Sequence, residues 1–235
     1  MAASLWRSAF SEMKDAEIML EWYNGKKVYD EKTGELIEKR PGLIDKLVRE
    51  AQEMKESCDL GQRFTNRTFG NFNKNDDLNA FNVCVSFATT PNLMRMERNS
   101  LIILGKVGSG KTHLAAAIAN SLSGRGIPVM FGTFSNHLEE LKREFNLSGE
   151  RTYLARMKSV PILVIDDIGR EKQTDWSRQV LFDVINYRYE HMTPVVVTAN
   201  FTQREFERYL GADIYSRLCE MSKFVETEGR DHRKL

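Results

Sequence analysis

The stretch that most constrains this chain is residues 101–122, LIILGKVGSGKTHLAAAIANSL. Its first four residues are apolar and read as a short buried strand. Residues 105–112 then satisfy GxxxxGK[ST] at every defined position, and an alanine-rich helix follows. Strand, glycine-rich loop and helix in that order are the context a phosphate-binding loop requires. Gly105, Gly108 and Gly110 let the backbone curl so that N–H groups face inward. Ser109 lies inside the loop, and the helix that begins near Lys111 presents its positive end to a bound anion. Lys111 is placed to reach β- and γ-phosphates, and the Thr112 hydroxyl to ligate Mg²⁺, with His113 next to them. The expected ligand is ATP with Mg²⁺.

The rest of the composition limits the partners. Of the 235 residues, 41% are apolar, enough for a core, and 29% are charged. Residues 1–60 carry 10 Lys/Arg against 13 Asp/Glu, whereas the remainder carries 24 against 20. The mildly basic main part permits a nucleic-acid partner without requiring one. Cys58, Cys84 and Cys219 lie far apart and form no CxxC pair, so free thiols are expected rather than a disulfide framework or a zinc site. His113 and His137 have no partners at metal-ligand spacing. Charged residues interrupt the N-terminus, and no apolar run approaches membrane-spanning length, which points to a cytoplasmic chain.

Along the chain, residues 4–22 place Trp6, Phe10, Met13 and Leu20 at helical spacing. A hairpin is expected around residues 26–38. Pro41 and Gly42 then open a second amphipathic helix carrying Leu43, Leu47, Val48 and Met54. This helical extension, residues 1–57, either packs on the main domain or serves as an adaptor for a protein partner. Residues 58–75 read as a linker whose Phe64, Phe69 and Phe72 anchor it on the domain or contribute to an adenine pocket. Residues 76–235 form the main domain. It opens with a helix over 76–89, and further strands are expected at 127–134, 160–167, 194–200 and 223–227. Helices are expected at 136–145 (with Ser135 as cap), 150–158, 176–191, 202–209 and 212–219. Alternation of strands with helices implies an α/β fold in three layers, its parallel sheet covered on both faces.

Three strand ends gather the chemistry. Asp166 and Asp167 close the apolar run PILVI, beside the loop in a parallel sheet. The first acid is suited to hold Mg²⁺ and the second to polarise an attacking water. Asn200 ends PVVVTA and emerges on the same edge, where a neutral amide can position water.

GKVGSGKTHLA, ILVIDDIGRE, TDWSRQVLFDVINYRYE, PVVVTAN, IYSRL and GRDHR occur in order here. Together they resemble the AAA+ ATPases of the DnaC-type replicative helicase loaders and the closely similar IstB-type transposition ATPases. The resemblance covers residues 61–235 and implies a P-loop AAA+ core, ATP held between subunits of a homo-oligomer, and slow hydrolysis, since the usual Glu is replaced by the shorter Asp167. It implies that Arg217 is an arginine finger acting on a neighbouring subunit and that Arg233 is the sensor-2 arginine, with His232 where the family has Tyr and Arg230 as a rival. Residues 135–158 resemble the extra helical element by which loaders and initiators contact single-stranded DNA. Lys142, Arg143, Arg151, Arg156 and Lys158 would line that groove or, with Glu139, Glu140, Glu144 and Glu150 interleaved, form a solvated face. The implied function is ATP-dependent loading of a replicative helicase onto single-stranded DNA in a bacterium or its phage; the acidic, amphipathic residues 1–57 are then the expected helicase contact. The alternatives are a transposition ATPase and a nucleotide-gated binding switch that hydrolyses negligibly.

Overall fold

The computed structural model describes residues 64–228 except 75–76, 91–92, 94–95, 126 and 148–151. The expected extension of residues 1–57, and with it Arg151, Arg230 and Arg233, lies outside the described residues.

Five strands form one parallel sheet: β1 (Ser100–Gly105), β2 (Val129–Thr133), β3 (Ile162–Ile168), β4 (Val195–Ala199) and β5 (Ser222–Thr227). Their order across the sheet is β2-β3-β4-β1-β5. Because all are parallel, their C-terminal ends share one edge, and β1 sits between β4 and β5. The loop after β1 is therefore flanked by the residues that follow β4 and those that end β5.

Successive side chains of a strand face opposite ways, so β1 divides itself between two cores. Ile102 and Leu104 join one apolar cluster, Leu101 and Ile103 the other. On the first face lie α3 (Phe134–Leu147), α4 (Thr152–Ser159), α5 (Asp175–Glu190), α6 (Gln203–Leu210) and α7 (Ala212–Met221). On the second lie α1 (Leu78–Thr89) and α2 (Lys111–Gly124). Ala115, Ala116, Ala117 and Ala119 of α2 are all buried, since their small side chains let the helix approach both the sheet and α1. These layers are the expected three-layer α/β arrangement. β5 departs from the all-apolar pattern: Lys223 and Glu226 are exposed, as suits an edge strand. None of the described helices is long and apolar enough to cross a membrane.

Residues 64–74 are fastened to the domain by their aromatics. Phe64 packs on Phe131, Phe69 meets Phe81 edge-on, and Phe72 stacks on Phe81 with centroids 5.9 Å apart. The Asn120 amide donates to the carbonyls of Phe64 (3.0 Å) and Arg67 (2.7 Å). Anchoring, the first of the two roles considered for these phenylalanines, is what the packing provides. At the start of α3, Thr133 rather than Ser135 acts as cap: its Oγ1 accepts the Asn136 N–H at 3.1 Å, and Ser135 is already helical. Thr133 stands directly before the first helical residue, the position from which a side-chain oxygen reaches the N–H three residues on.

His137 is buried behind β2 and β3. Its Nε2 lies 3.3 Å from the Val164 carbonyl and its Nδ1 2.8 Å from the Tyr153 hydroxyl. A neutral ring with the proton on Nε2 satisfies both, donating to one and accepting from the other. Desolvation lowers its pKa from 6.5 to about 4, against a smaller opposing effect of the Val164 carbonyl. The unfolded chain takes up this proton first, so the contribution of His137 is complete above pH 6.5 and is lost as pH falls to about 4. The expected loss is about 3 kcal/mol. Urea unfolding between pH 7 and 4 should show a shallower pH slope for His137→Gln than for the parent; equal slopes would contradict the assignment.

Candidate functional site

The loop between β1 and α2 is built on left-handed glycines. Gly105, Gly108 and Gly110 have φ of 139°, 82° and 93°, conformations costly for residues with a Cβ. A Cβ on Gly105 would overlap the Thr227 hydroxyl and carbonyl, and one on Gly110 would come within 2.8 Å of the Phe72 ring. Gly110 is also the N-cap of α2, so no side chain accepts the N–H groups of the first turn. Those groups and the helix dipole make an anion cradle.

Lys111 is 5% exposed and folds over this loop. Its ammonium donates to the carbonyls of Gly105 (2.9 Å) and Lys106 (2.7 Å) and, more distantly, to Ser109 Oγ (3.4 Å). His113 faces residues 64–74. Its Nε2 lies 2.9 Å from the Thr68 carbonyl and its ring meets Phe72 edge-on at 5.2 Å, so it ties residues 64–74 to α2.

The acid pair is not at the end of its strand, as the sequence suggested, but inside it: β3 runs on to Ile168. The pairing of β3 with β4 shifts register between Ile165 and Ile168, a bulge that holds Asp167 at φ 56°. Such a bulge re-aims side chains. The two carboxylates consequently serve different partners. Asp166, 2% exposed, accepts from Thr112 Oγ1 with both oxygens at 3.0 Å and from Thr198 Oγ1 at 2.6 Å. Burial raises its pKa above the usual carboxylate value; the two hydroxyls and, more weakly, Lys111 pull it back, while Asp167 adds to the rise. Asp167 accepts from the Asn200 amide and pairs with Arg170 at 3.1 Å. Thr198 joins the two acids, donating to Asp166 and accepting the Asp167 N–H at 2.9 Å.

The structure thus brings Lys111, Thr112, Asp166, Asp167 and Asn200 to one edge. Thr198 was missed by the sequence reading; its signal is a hydroxyl near the end of an otherwise apolar strand. Arg217 is engaged elsewhere. Its guanidinium donates to Asn186 Oδ1 (2.7 Å) and the Asp213 carbonyl (2.6 Å) and lies 5.2 Å from the Phe182 ring centroid. None of these partners belongs to the P-loop cluster. Of the proposed basic groove, Lys142 sits over Trp176, Arg143 pairs with Glu140 on its own helix, and Arg156 and Lys158 lie over Tyr153 and Tyr187.

The donor set fits a nucleotide and its divalent ion. Three left-handed glycines, a lysine on the loop and a Thr112 hydroxyl already pointed at a buried carboxylate make one cradle. Among the described residues no group of three or more His, Cys, Asp or Glu is arranged to hold a metal, so such an ion would depend on phosphate oxygens as well.

The chain is similar to known proteins. The phage-like element PBSX protein XkdC of Bacillus subtilis (strain 168) is 36% identical over 127 residues, 50% of this chain and 47% of that protein. The replicative helicase loader DnaC of Escherichia coli (strain K12) is 32% identical over 121 residues, 51% of this chain and 49% of that protein. The chain therefore spans about half the length of these curated relatives. A crystal structure of the DnaC helicase loader superposes with a TM-score of 0.64 at 24% identity, covering 72% of this chain and all of that one, which shows a common fold. The family model of IstB-like ATP binding proteins matches residues 29–235. By that match and by its P-loop, acid pair and parallel sheet, the chain belongs to the IstB-like ATP binding proteins and has their AAA+ ATPase fold.

Proposed function

We propose that this chain is an ATP-dependent loader of a replicative DNA helicase onto single-stranded DNA. The observation that carries the reading is the convergence of Lys111 and Thr112 on α2 with Asp166 and Asp167 in the bulge of β3 and Asn200 just after β4. The loop N–H groups and Lys111 bind and orient the triphosphate. Thr112 and Asp166 hold Mg²⁺, which when bound neutralises charge on the phosphate oxygens. Asp167, kept in place by Asn200 and Arg170, orients a water and takes up its proton. Its reach is one methylene shorter than that of Glu, so slow turnover is expected.

Residues 1–57, acidic and amphipathic beside a mildly basic domain, contact the helicase, and residues 58–75 connect them to the ATPase domain of 76–235. By resemblance to the family, Arg217 and Arg233 complete ATP sites between subunits of a cytoplasmic homo-oligomer. Lys142, Arg143, Arg151, Arg156 and Lys158 track the DNA backbone. The identity to the loader DnaC supports the leading reading; the description of the matched family favours a second, regulation of a transposase on DNA.

The test is hydrolysis by the full chain with and without single-stranded DNA and purified hexameric helicase. Asp167→Asn should bind ATP normally and turn over at least about a hundredfold more slowly. Unchanged turnover would remove Asp167 from the chemistry. Binding to a transposase in preference to the helicase would select the second reading.

A further inference from the structure

The end of β5 touches the P-loop twice. Thr227, 4% exposed, lies beside Gly105 in the strand register, and its Oγ1 is 3.0 Å from the Leu104 carbonyl oxygen and 2.5 Å from Ser109 Oγ. Ser109 Oγ is also 2.8 Å from the Lys106 carbonyl oxygen. Counting protons assigns the bonds. Two hydroxyls supply two protons for three short oxygen–oxygen contacts, and carbonyls supply none. A separation of 2.5 Å between hydroxyl oxygens requires a proton between them. The Lys106 carbonyl already accepts from the Lys111 ammonium at 2.7 Å and the Ser109 N–H at 3.3 Å. The assignment that leaves no acceptor short is therefore a relay: Ser109 donates to Thr227, and Thr227 donates to the Leu104 carbonyl.

This relay ties Ser109 in the loop and the end of β1, where the loop starts, to β5. It is held from behind as well, since the N–H of Glu228 donates to Asp77 Oδ2 at 2.9 Å, and Asp77 caps α1 through Ala80. Lys111 contributes a third tie to Ser109 at 3.4 Å. A lysine that turns to phosphate oxygens gives up that tie, and Ser109 then depends on Thr227. We infer that Thr227 is a positioning residue of the nucleotide site, its hydroxyl holding Ser109 and the start of the P-loop in the phosphate-binding curl. The inference rests on the nucleotide-binding reading above.

The experiment measures binding of a fluorescent ATP analogue with Mg²⁺ to the full chain, alongside thermal unfolding without nucleotide. Thr227→Val keeps the shape and removes the hydroxyl, and should weaken binding about tenfold. Thr227→Ser should restore near-normal affinity. Ser109→Ala cuts the same relay at its other end, so it should match Thr227→Val, and the double variant should bind no more weakly than the worse single one. A purely structural role would lower the melting temperature and leave affinity below that temperature unchanged; that result overturns the inference, as does additive loss in the double variant. Should Thr227→Val not fold, Ser109→Ala and Thr227→Ser carry the same comparison. Absence of nucleotide binding by the parent chain is a different failure, because it removes the underlying reading and this inference with it.

Discussion

Lys111→Ala is expected to weaken ATP binding by more than about a hundredfold, because charge-assisted bonds to two phosphates are each worth about 1.5–3 kcal/mol. The structure adds a second loss. The ammonium also donates to the carbonyls of Gly105 and Lys106, two successive residues at the start of the loop. Alanine removes the cation and leaves those two oxygens without that donor. Lys111→Met, which keeps most of the stem packed, should lose nearly as much affinity while sparing more of the melting temperature, so a calorimetric titration of both variants separates charge from packing. Near-normal affinity in either variant would remove the basis for placing a nucleotide here.

The largest expected effect on stability belongs to Arg188, which has no role in the chemistry. It is fully buried near the end of α5, and carbonyls rather than a carboxylate surround it. Nε donates to Pro194 O at 3.1 Å, Nη1 to Met157 O (2.8 Å) and Lys158 O (3.2 Å), and Nη2 to Val160 O (3.0 Å), Pro161 O (3.3 Å) and Pro194 O. Burial pulls its pKa down to about 9, so it remains charged at neutral pH. One planar fork thus gathers the end of α4, the entry to β3 and the entry to β4. Arg188→Met fills much of the volume and leaves these carbonyls without donors, at an expected cost of about 3–5 kcal/mol. Arg188→Lys should recover little, because three donors on a single nitrogen cannot reach positions spread along a fork. Urea unfolding measures both variants; a midpoint within experimental error of the parent would mean that water takes over the arginine's role.

How much could be read in advance depended on range. Local patterns carried the P-loop: the spacing of Gly105, Gly110, Lys111 and Thr112 lies within eight residues, and the flanking strand and helix are set by adjacent side chains. The apolar runs that became β1, β3 and β4 announced strands buried on both faces. Position along a strand was less legible. The run PILVI marks where consecutive apolar residues stop, but the strand runs on and pairs with β4 again at Ile168, because a bulge accommodates one buried and one half-buried acid.

What the sequence by itself determined, then, was that a phosphate-binding loop would sit on a parallel α/β sheet with acids and an amide near its edge. Only the tertiary structure decided who touches whom. The order β2-β3-β4-β1-β5 puts Asn200 beside Asp167 and Thr227 beside Gly105, although Thr227 follows Gly105 by more than a hundred residues. Packing of residues 64–74 against α2 turns His113 toward Thr68, and the approach of α4 to the entries of β3 and β4 makes Arg188 a buried clasp among carbonyls. The physical reason is that motif spacing reports bonds made within a turn or a loop, whereas a lone threonine, histidine or arginine acquires its role from whatever strand, helix end or segment the tertiary packing sets next to it.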